Sequence, residues 1–171
     1  MAIKKENPVL IYDTSAFIGG VDPQAILIPQ WTTPENLEEI HNKNTKEILQ
    51  MAIKTGRMKL RSPSRDSISK IIELSKKTGD YTKLSKIDID VLALTLDFKN
   101  ENWHPILMTD DYSMQNVAAA LKIEYKSITE KGIRSQLRWK MYCPGCNTEY
   151  DPNTPLKKCD ICGTKLKRKS Y

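Results

Sequence analysis

Two pairs of cysteines near the carboxyl end place the tightest constraint on the fold of this 171-residue chain. Cys143 and Cys146 form one CxxC pair, Cys159 and Cys162 form another, and twelve residues separate the pairs. Four thiolates at this spacing favour one tetrahedral Zn²⁺ site, as in a zinc ribbon. The alternative, a redox-active dithiol, fits two pairs in a short polar segment less well. A segment this small cannot build a core, so bound metal would provide its folding free energy.

Upstream of the cysteines, short apolar segments alternate with longer helical patterns. Residues 9–11 are apolar and mostly β-branched, which is typical of a buried strand, and Asp13 ends it. Ser85 and Asp88 have the spacing of a capping box in front of a helix that is apolar nearly all round. Strands that alternate with helices pair in parallel through right-handed crossovers, which predicts an α/β fold with a five-stranded parallel sheet. The predicted strands lie at 9–11, at the end of 25–33, and at 57–61, 105–109 and 123–128; the main predicted helices lie at 34–56, 64–79, 89–98 and 111–121.

The composition is that of a folded, water-soluble protein, with 39% hydrophobic and 28% charged residues. The longest apolar run, Val91 to Leu96, is too short to span a bilayer. The first residues also lack the apolar core of a signal peptide. We therefore expect a cytoplasmic protein with no membrane partner, and in that compartment cysteines favour metal over disulfides.

The positive charge is concentrated at one end of the chain. The net charge is +6, and residues 129–171 carry ten basic and four acidic residues, so the preceding residues sum to zero. A neutral body with a basic end predicts a polyanionic partner, most simply nucleic acid, although a solvated basic tail is an alternative. Cations with an interleaved aromatic suit single-stranded RNA. The candidate RNA-binding residues are Arg138, Trp139, Lys140, Lys167 and Arg168, and it stays equally open that Trp139 packs the ribbon against the first domain.

Four acidic residues are predicted to meet at one edge of the sheet. Asp13 and Asp111 follow strands, while Glu39 and Asp88 are expected in the first turns of helices. In a parallel sheet these positions gather at the carboxyl edge. Clustered carboxylates repel one another unless cations lie between them, and Mg²⁺ or Mn²⁺ prefers such oxygen ligands. Each acid also has a simpler interpretation, as a helix cap or as a partner of a helix dipole.

The same acidic residues resemble the acidic set of the PIN-domain nucleases. The resemblance rests on Asp13-Thr14-Ser15, Glu39-Ile40, Asp88 before an apolar helix, and Thr109-Asp110-Asp111. It is closer to the Nob1 branch, the endonucleases that mature the 3′ end of small-subunit ribosomal RNA. That branch is matched by Ser75–Tyr81, Leu84-Ser85, Asp88-Ile89, Val91–Thr95, Asp110–Ala118 and the cysteine module, and the chain looks like the compact archaeal type.

The resemblance implies a metal-dependent endoribonuclease that acts on the small-subunit (16S) precursor within the pre-ribosomal small subunit. It implies a PIN-like nuclease domain over residues 1–128, a linker over 129–140, and a zinc ribbon with a basic tail over 141–171. The residues that match the catalytic and Mn²⁺- or Mg²⁺-binding positions are Asp13, Glu39, Asp88 and Asp111, with Glu38 and Asp110 open as substitutes for their neighbours. The alternative function is a non-catalytic RNA-binding assembly factor with the same fold. A haloacid-dehalogenase-type phosphatase is disfavoured because Ser15 stands where that class needs a second acid.

Overall fold

The computed structural model describes residues 7–128 and 139–170. Residues 7–128 form an α/β domain, and residues 139–170 form a small β module. Two 3₁₀ helices, Pro23–Ala25 and Tyr81–Lys83, lie in the loops of the first domain. The strands of the first domain are β1 (Pro8–Tyr12), β2 (Gln30–Thr32), β3 (Met58–Leu60), β4 (His104–Met108) and β5 (Glu124–Lys126). Its helices are α1 (Thr14–Ile18), α2 (Pro34–Glu38), α3 (Lys43–Lys54), α4 (Arg65–Thr78), α5 (Lys86–Asn100) and α6 (Tyr112–Ala120).

The five strands form one parallel sheet in the order β3-β2-β1-β4-β5, which confirms the predicted α/β fold. The first strand lies at its centre, and Leu10 pairs with Gln30 on one side and Ile106 on the other. At the carboxyl end, Tyr12 pairs with Met108. The residues that follow β1 and β4 are therefore neighbours at the edge where open α/β sheets bind ligands.

Each face of the sheet covers its own hydrophobic core. One core packs α4, α5 and α6 against β1 and β4 and includes Val9, Leu92 and Leu107. The other packs α1 and α3 against the opposite face and includes Tyr12 and Leu49. Because strand side chains alternate between faces, consecutive residues of β1 serve both cores. Among the described residues no helix is long and apolar enough to cross a membrane, including the largely buried α5.

The single helix predicted over 34–56 is wrong, because the structure has two helices there. Pro34 starts α2, which ends after one turn, and Asn42 starts α3 by accepting a hydrogen bond from the backbone of Thr45 at 3.1 Å. An asparagine cap of this kind favours a new helix start over continuation. Glu39 is consequently the C-cap residue that follows α2, and not in the first turn of a helix.

The predicted ends of the next two helices are confirmed. Ser64 caps α4, and Gly79 ends it in the left-handed conformation, at φ 78°. Ser85 and Asp88 form the predicted capping box at the start of α5, with both reciprocal hydrogen bonds present. These local signals hold because they depend on residues within one helical turn of each other.

The β module consists of three antiparallel strands in the order β7-β6-β8. They are β6 (Trp139–Tyr142), β7 (Glu149–Tyr150) and β8 (Lys167–Ser170). The module thus begins at Trp139, two residues before the expected start of the ribbon, and the predicted basic tail is a strand. Arg138 and the other predicted linker residues before Trp139 lie outside the described residues.

The two parts of the molecule are joined at the end of α4. Arg168 of β8 donates to the backbone oxygen of Gly79 at 3.0 Å and pairs with the Asp80 carboxylate at 2.6 Å. Its guanidinium also lies 4.1 Å from the ring centroid of Trp139. Asp80 is fully buried and accepts a further hydrogen bond from Asn116. Trp139 itself lies against Gly79, where an added Cβ would come within 3.1 Å of the Trp139 Cβ atom, so it packs the module against the first domain.

Candidate functional site

Asp13 lies directly after the central strand and is 5% exposed. Its Oδ2 accepts hydrogen bonds from the Ser15 hydroxyl at 2.7 Å and the Thr109 hydroxyl at 3.0 Å. The backbone N–H of Ser15 also points to Oδ2, so Asp13 is the N-cap of α1. No described residue donates a hydrogen bond to Oδ1. Hydrogen bonds therefore fix the carboxylate through Oδ2, and Oδ1 can accept a further ligand.

Asp111 and Asp110 follow β4 and have different surroundings. Oδ1 of Asp111 caps α6 by accepting from the backbone of Ser113 at 2.6 Å and of Met114 at 3.1 Å. Oδ1 of Asp110 instead accepts from the Ser127 hydroxyl and from the Ile128 backbone at 2.7 Å. Asp110 thus ties the end of β4 to the segment after β5. These contacts favour Asp111 over Asp110 as the acid of the site.

Asp88 lies in the first turn of α5, half-buried. Its Oδ2 accepts from the Ser85 backbone at 2.7 Å, which completes the capping box. Burial is the main cause that raises the pKa of Asp88; the hydrogen bonds from Ser85 oppose it, and the charges of Asp13 and Asp111 raise the pKa further. The charges of Asp13 and Asp111 therefore act on Asp88, and the convergence of the acids on one metal site stays a prediction.

Glu39 reaches the site through Thr14, the residue after Asp13. The Thr14 hydroxyl lies 3.0 Å from Oε2 of Glu39 and also contacts the side-chain oxygen of Asn36. Asn36 is buried, and its amide donates to the backbone oxygen of Tyr12 at 3.1 Å. This chain of contacts places Glu39, rather than Glu38, beside the end of β1, although Glu39 itself is exposed.

The four acids share one pattern of hydrogen bonding. In each, one carboxylate oxygen accepts from the protein and the other accepts from no described residue: the unbonded oxygens are Oδ1 of Asp13, Oε1 of Glu39, Oδ1 of Asp88 and Oδ2 of Asp111. Asp97 is a contrasting case, because both of its oxygens accept hydrogen bonds. The capping and ligand interpretations are thus compatible, since each role uses a different oxygen.

This donor set fits a hard divalent cation. Mg²⁺ and Mn²⁺ take oxygen ligands from carboxylates and keep several waters, so carboxylates need not crowd around them. Among the described residues 7–128, no group of three or more acids lies close enough together to form a metal-binding cluster by itself. A cation at this edge would therefore take part of its coordination from water.

Three residues that support the acids were not among the predicted site residues. Ser15 and Thr109 fix Asp13, and Asn36 positions Thr14. Ser15 and Thr109 lie within two residues of predicted acids, so their hydroxyls were a signal that the sequence offered. Asn36 carries no comparable signal, because its buried contact to the backbone of Tyr12 joins residues 24 positions apart in the chain.

The four cysteines form a second candidate site. Their Sγ atoms all lie within 4.8 Å of one another, with 3.3 Å between Cys143 and Cys162 and 3.5 Å between Cys146 and Cys159. Zn–S bonds of about 2.3 Å would place tetrahedral sulfurs about 3.8 Å apart, so the cluster fits a structural Zn²⁺ site. Cys143 and Cys159 are buried, and the other two are exposed.

Polar neighbours orient these thiols. The backbone N–H of Gly145 donates to Sγ of Cys143 at 3.3 Å, and the Tyr150 hydroxyl donates to Sγ of Cys159 at 3.0 Å. The bond from Tyr150 lowers the pKa of Cys159 to about 6. Thiolates are the form that binds metal, and hydrogen bonds to ligand sulfurs are the usual second layer of such sites.

The predicted RNA-binding residues fall into two groups. Trp139 and Arg168 are engaged at the junction between the two domains, as described above. Lys140 is half-buried and pairs with Glu149 on the neighbouring strand, while Lys167 is exposed. RNA binding by these four residues stays a prediction, and the junction contacts give Trp139 and Arg168 a structural role in any case.

Comparison with known proteins places this arrangement in context. A family model described as the PIN domain of ribonuclease matches residues 10–98. Endoribonuclease Nob1 of Methanocaldococcus jannaschii is 43% identical over 94% of this chain and 77% of its own length. Endoribonuclease Nob1 of Pyrococcus abyssi is 31% identical over 92% of this chain and 91% of its own length. A protein of Saccharomyces cerevisiae named 20S-pre-rRNA D-site endonuclease NOB1 is 36% identical over 43% of this chain and 17% of its own length.

Proposed function

This chain belongs to the Nob1 family of PIN-domain endoribonucleases, and we propose that it cleaves the small-subunit (16S) ribosomal RNA precursor to mature its 3′ end. The names of both archaeal relatives state endoribonuclease activity, and the name of the yeast relative states action on 20S pre-rRNA. The acidic edge of the sheet supports the same chemistry for this chain. The substrate would be a single-stranded segment of the precursor within the pre-ribosomal small subunit.

The observation that carries the proposal is the position of the acids: Asp13 follows the central strand β1, Asp111 follows the adjacent β4, and the charges of both act on Asp88. Asp13, Glu39, Asp88 and Asp111 would hold Mn²⁺ or Mg²⁺ through the oxygens that accept no hydrogen bond from the described residues. The opposite oxygens hold the carboxylates still, so the ligands are positioned before any cation binds. Asp13 is the most rigidly held because it is nearly buried and accepts from two hydroxyls.

A bound divalent cation activates water and stabilises charge on the phosphate and the leaving oxygen. In-line attack of water on phosphorus, with departure of the 3′ oxygen, would leave 3′-hydroxyl and 5′-phosphate ends. The four carboxylates give the edge of the sheet a negative potential that disfavours RNA when no cation is bound. Substrate binding and cation binding are therefore expected to depend on each other at this site.

The second domain would bind RNA and keep it near this edge. In this proposal residues 1–128 cut, residues 129–140 connect, and residues 141–171 form a ribbon held by Zn²⁺ on Cys143, Cys146, Cys159 and Cys162. The ribbon together with the connecting residues 129–140 carries the whole net positive charge of the chain. Lys140 and Lys167 are the predicted contacts there that lie away from the buried part of the domain junction, and Arg138 is a further predicted contact.

The proposal is tested with an RNA that spans the 3′ end of the small-subunit precursor. The purified chain should cut it with Mn²⁺ or Mg²⁺, fail with a chelator, and lose activity by orders of magnitude on Asp13→Asn. Asp22→Asn is the matched control, because Asp22 also caps a short helix through its side chain and lies outside the acidic site. Asn is itself a good cap, so both variants should keep their fold.

Two results would contradict the proposal. Full cleavage by Asp13→Asn would remove the acidic edge from the chemistry. RNA binding without cleavage under every cation would favour the non-catalytic assembly factor instead. Melting curves for the same preparations separate loss of chemistry from loss of fold.

A further inference from the structure

A cleft separates the 3₁₀ helix Tyr81–Lys83 from the second cysteine knuckle of the ribbon. Its volume is about 460 Å³, within the range of pockets that hold a molecule of the size of a nucleotide. Thr82 and Lys83 form its wall on the α/β domain. The ribbon contributes the opposite wall and an apolar floor that includes Met141, Leu156 and Leu166.

The charged side chains of this cleft all have the same sign. The basic residues that line it are Lys83, Lys157, Lys165 and Arg168, and none of the carboxylates in residues 7–128 and 139–170 lines it. Arg168 already pairs with Asp80, so the three lysines provide the available charge. They are exposed, and the described structure shows no ion pair for them. A strip of cations beside an apolar floor is complementary to an anionic backbone that carries flat apolar groups.

Both walls of the cleft are fixed in place. On the ribbon, the Leu166 N–H donates to the Lys157 oxygen at 3.1 Å, and an isolated bridge joins Lys158 to Lys165. These bonds hold Lys157 and Lys165 on either side of the knuckle that contains Cys159 and Cys162. The Arg168–Asp80 pair fixes the distance between the ribbon and the 3₁₀ helix. The cleft is therefore a built feature and not a gap between loosely attached parts.

The wall of the cleft at Lys83 lies within a short length of chain of the acidic edge of the sheet. Lys83 precedes Asp88 by five residues, a span of at most about 18 Å even if the chain were extended. The intervening Ser85 begins α5, the helix that carries Asp88. A strand whose phosphate lies at the acidic site can therefore reach the cleft within a few nucleotides.

We propose that this cleft is a second RNA subsite, which holds the backbone of an unpaired strand on Lys83, Lys157 and Lys165 and a base on the floor around Leu156. Leu156 is 41% exposed, and its position suits contact with an unstacked base. The inference rests on the proposed function in that it takes RNA as the substrate. It assigns to the ribbon the task of keeping the strand next to the cut unpaired.

The test measures binding of an unpaired oligoribonucleotide by the Asp13→Asn chain, so that no cleavage occurs. The cleft variant combines Lys83→Gln, Lys157→Gln and Lys165→Gln. Loss of three phosphate contacts should lower the slope of log affinity against log salt by about two, at about 0.7 per contact for a single strand. The matched control has the same change at three exposed lysines outside the cleft, Lys54→Gln, Lys70→Gln and Lys122→Gln, and should keep the slope.

A second variant separates the base contact from the charge. Leu156→Ser should weaken binding of the single strand and leave the salt slope unchanged, because it removes apolar surface and no cation. It should also reduce the preference for the single strand over a duplex of the same sequence. Zinc content of one per chain and unchanged melting confirm that each variant is folded.

Several results would overturn the proposal. One is an equal decrease of the salt slope in the cleft and control variants, which would mean that the lysines attract RNA only through the overall positive charge of the protein. A second such result has two parts: the cleft variant binds RNA as well as before, and it loses binding of a polyglutamate peptide that the unaltered cleft binds. That result would mean that the cleft binds an acidic protein and not RNA. Because these are binding measurements, their failure is distinct from failure of the proposed function, which is judged by cleavage of the precursor RNA by the unaltered chain.

Discussion

The two domains hold their polar groups in place by different means. The α/β domain fixes its carboxylates with hydrogen bonds from backbone and hydroxyl groups that rest on two hydrophobic cores. Among the described residues of the ribbon, Cys143, Cys159 and Leu166 form the core, with Met141 and Tyr150 packed against it. Two of those three buried residues are themselves candidate metal ligands. We therefore expect the first domain to fold before a cation binds, and the ribbon to depend on bound metal for its structure.

The largest expected effect follows from this dependence. Cys159→Ser removes one of four ligands and part of a very small core, so the ribbon should lose bound zinc and its folded structure, while the α/β domain should stay folded and lose only the stability that the Arg168–Asp80 pair contributes. Elemental analysis should give about one zinc per unaltered chain and none for the variant. Limited proteolysis should cut the variant only after residue 128. Retention of zinc, or joint unfolding of both domains, would break the comparison.

The next effect concerns two adjacent acids of the first domain. Asp111→Asn should reduce cleavage by about a hundredfold or more, because it removes charge from the site while Asn still caps α6. Asp110→Asn should keep most of the activity and lower the melting temperature, since Asp110 binds Ser127 and Ile128. Single-turnover cleavage rates and melting temperatures of both variants show which of the two acids belongs to the site. The reverse pattern would show that Asp110 is the acid of the site.

A smaller effect is expected where the two domains meet. In a double-mutant cycle of Asp80→Asn and Arg168→Gln, we expect a coupling free energy of about 2 kcal/mol from denaturant unfolding, because the carboxylate is fully buried and the guanidinium largely so. The cycle with Glu73→Gln and Lys77→Gln serves as control, since that pair is about two-thirds exposed and should show no measurable coupling. Equal coupling in both cycles would mean that the junction contributes nothing specific.

The features that the sequence predicted correctly depend on short-range signals. The capping box of Ser85 and Asp88, the glycine at the end of α4, and the strand before Asp13 each involve residues within a turn or a strand of each other. The alternation of strands and helices then determined the parallel sheet. The spacing of the cysteines likewise predicted their cluster, because each CxxC pair is a local unit.

The features that the sequence could not predict depend on contacts between distant residues. Glu39 reaches the acidic edge from the end of α2 through Thr14, which is 25 residues earlier in the chain. Arg168 looked like part of a basic tail, but it pairs with Asp80, 88 residues away. Neither partner is visible from local pattern, because the packing of the whole domain decides which polar groups become buried together.

The smallest expected effect is on stability, and it distinguishes carboxylates that stabilise the fold from carboxylates that keep one oxygen for a metal ion. Burial raises the pKa of Asp97, but hydrogen bonds from Ser67 and Ser64 and the charge of Arg61 outweigh it and hold that pKa below its usual value. Its stabilising contribution is therefore present above about pH 4, the pKa in the unfolded chain, and is lost as the pH falls through the lower folded value. Asp97→Asn should cost about 1 to 2 kcal/mol at neutral pH and progressively less in acid.

The same measurement on Asp13→Asn sharpens the contrast. Asp13 lies beside other carboxylates that raise one another's free energy when no cation is bound, so its neutralisation should leave stability unchanged or increase it in the presence of chelator. Asp66→Asn, an exposed acid in the first turn of α4, controls for general loss of negative charge and should have little effect at any pH. Unfolding curves from pH 7 to pH 3 test all three variants. If Asp13→Asn were as destabilising as Asp97→Asn, the half-bonded acids would be structural, and the unbonded oxygen would not mark a metal ligand in this protein.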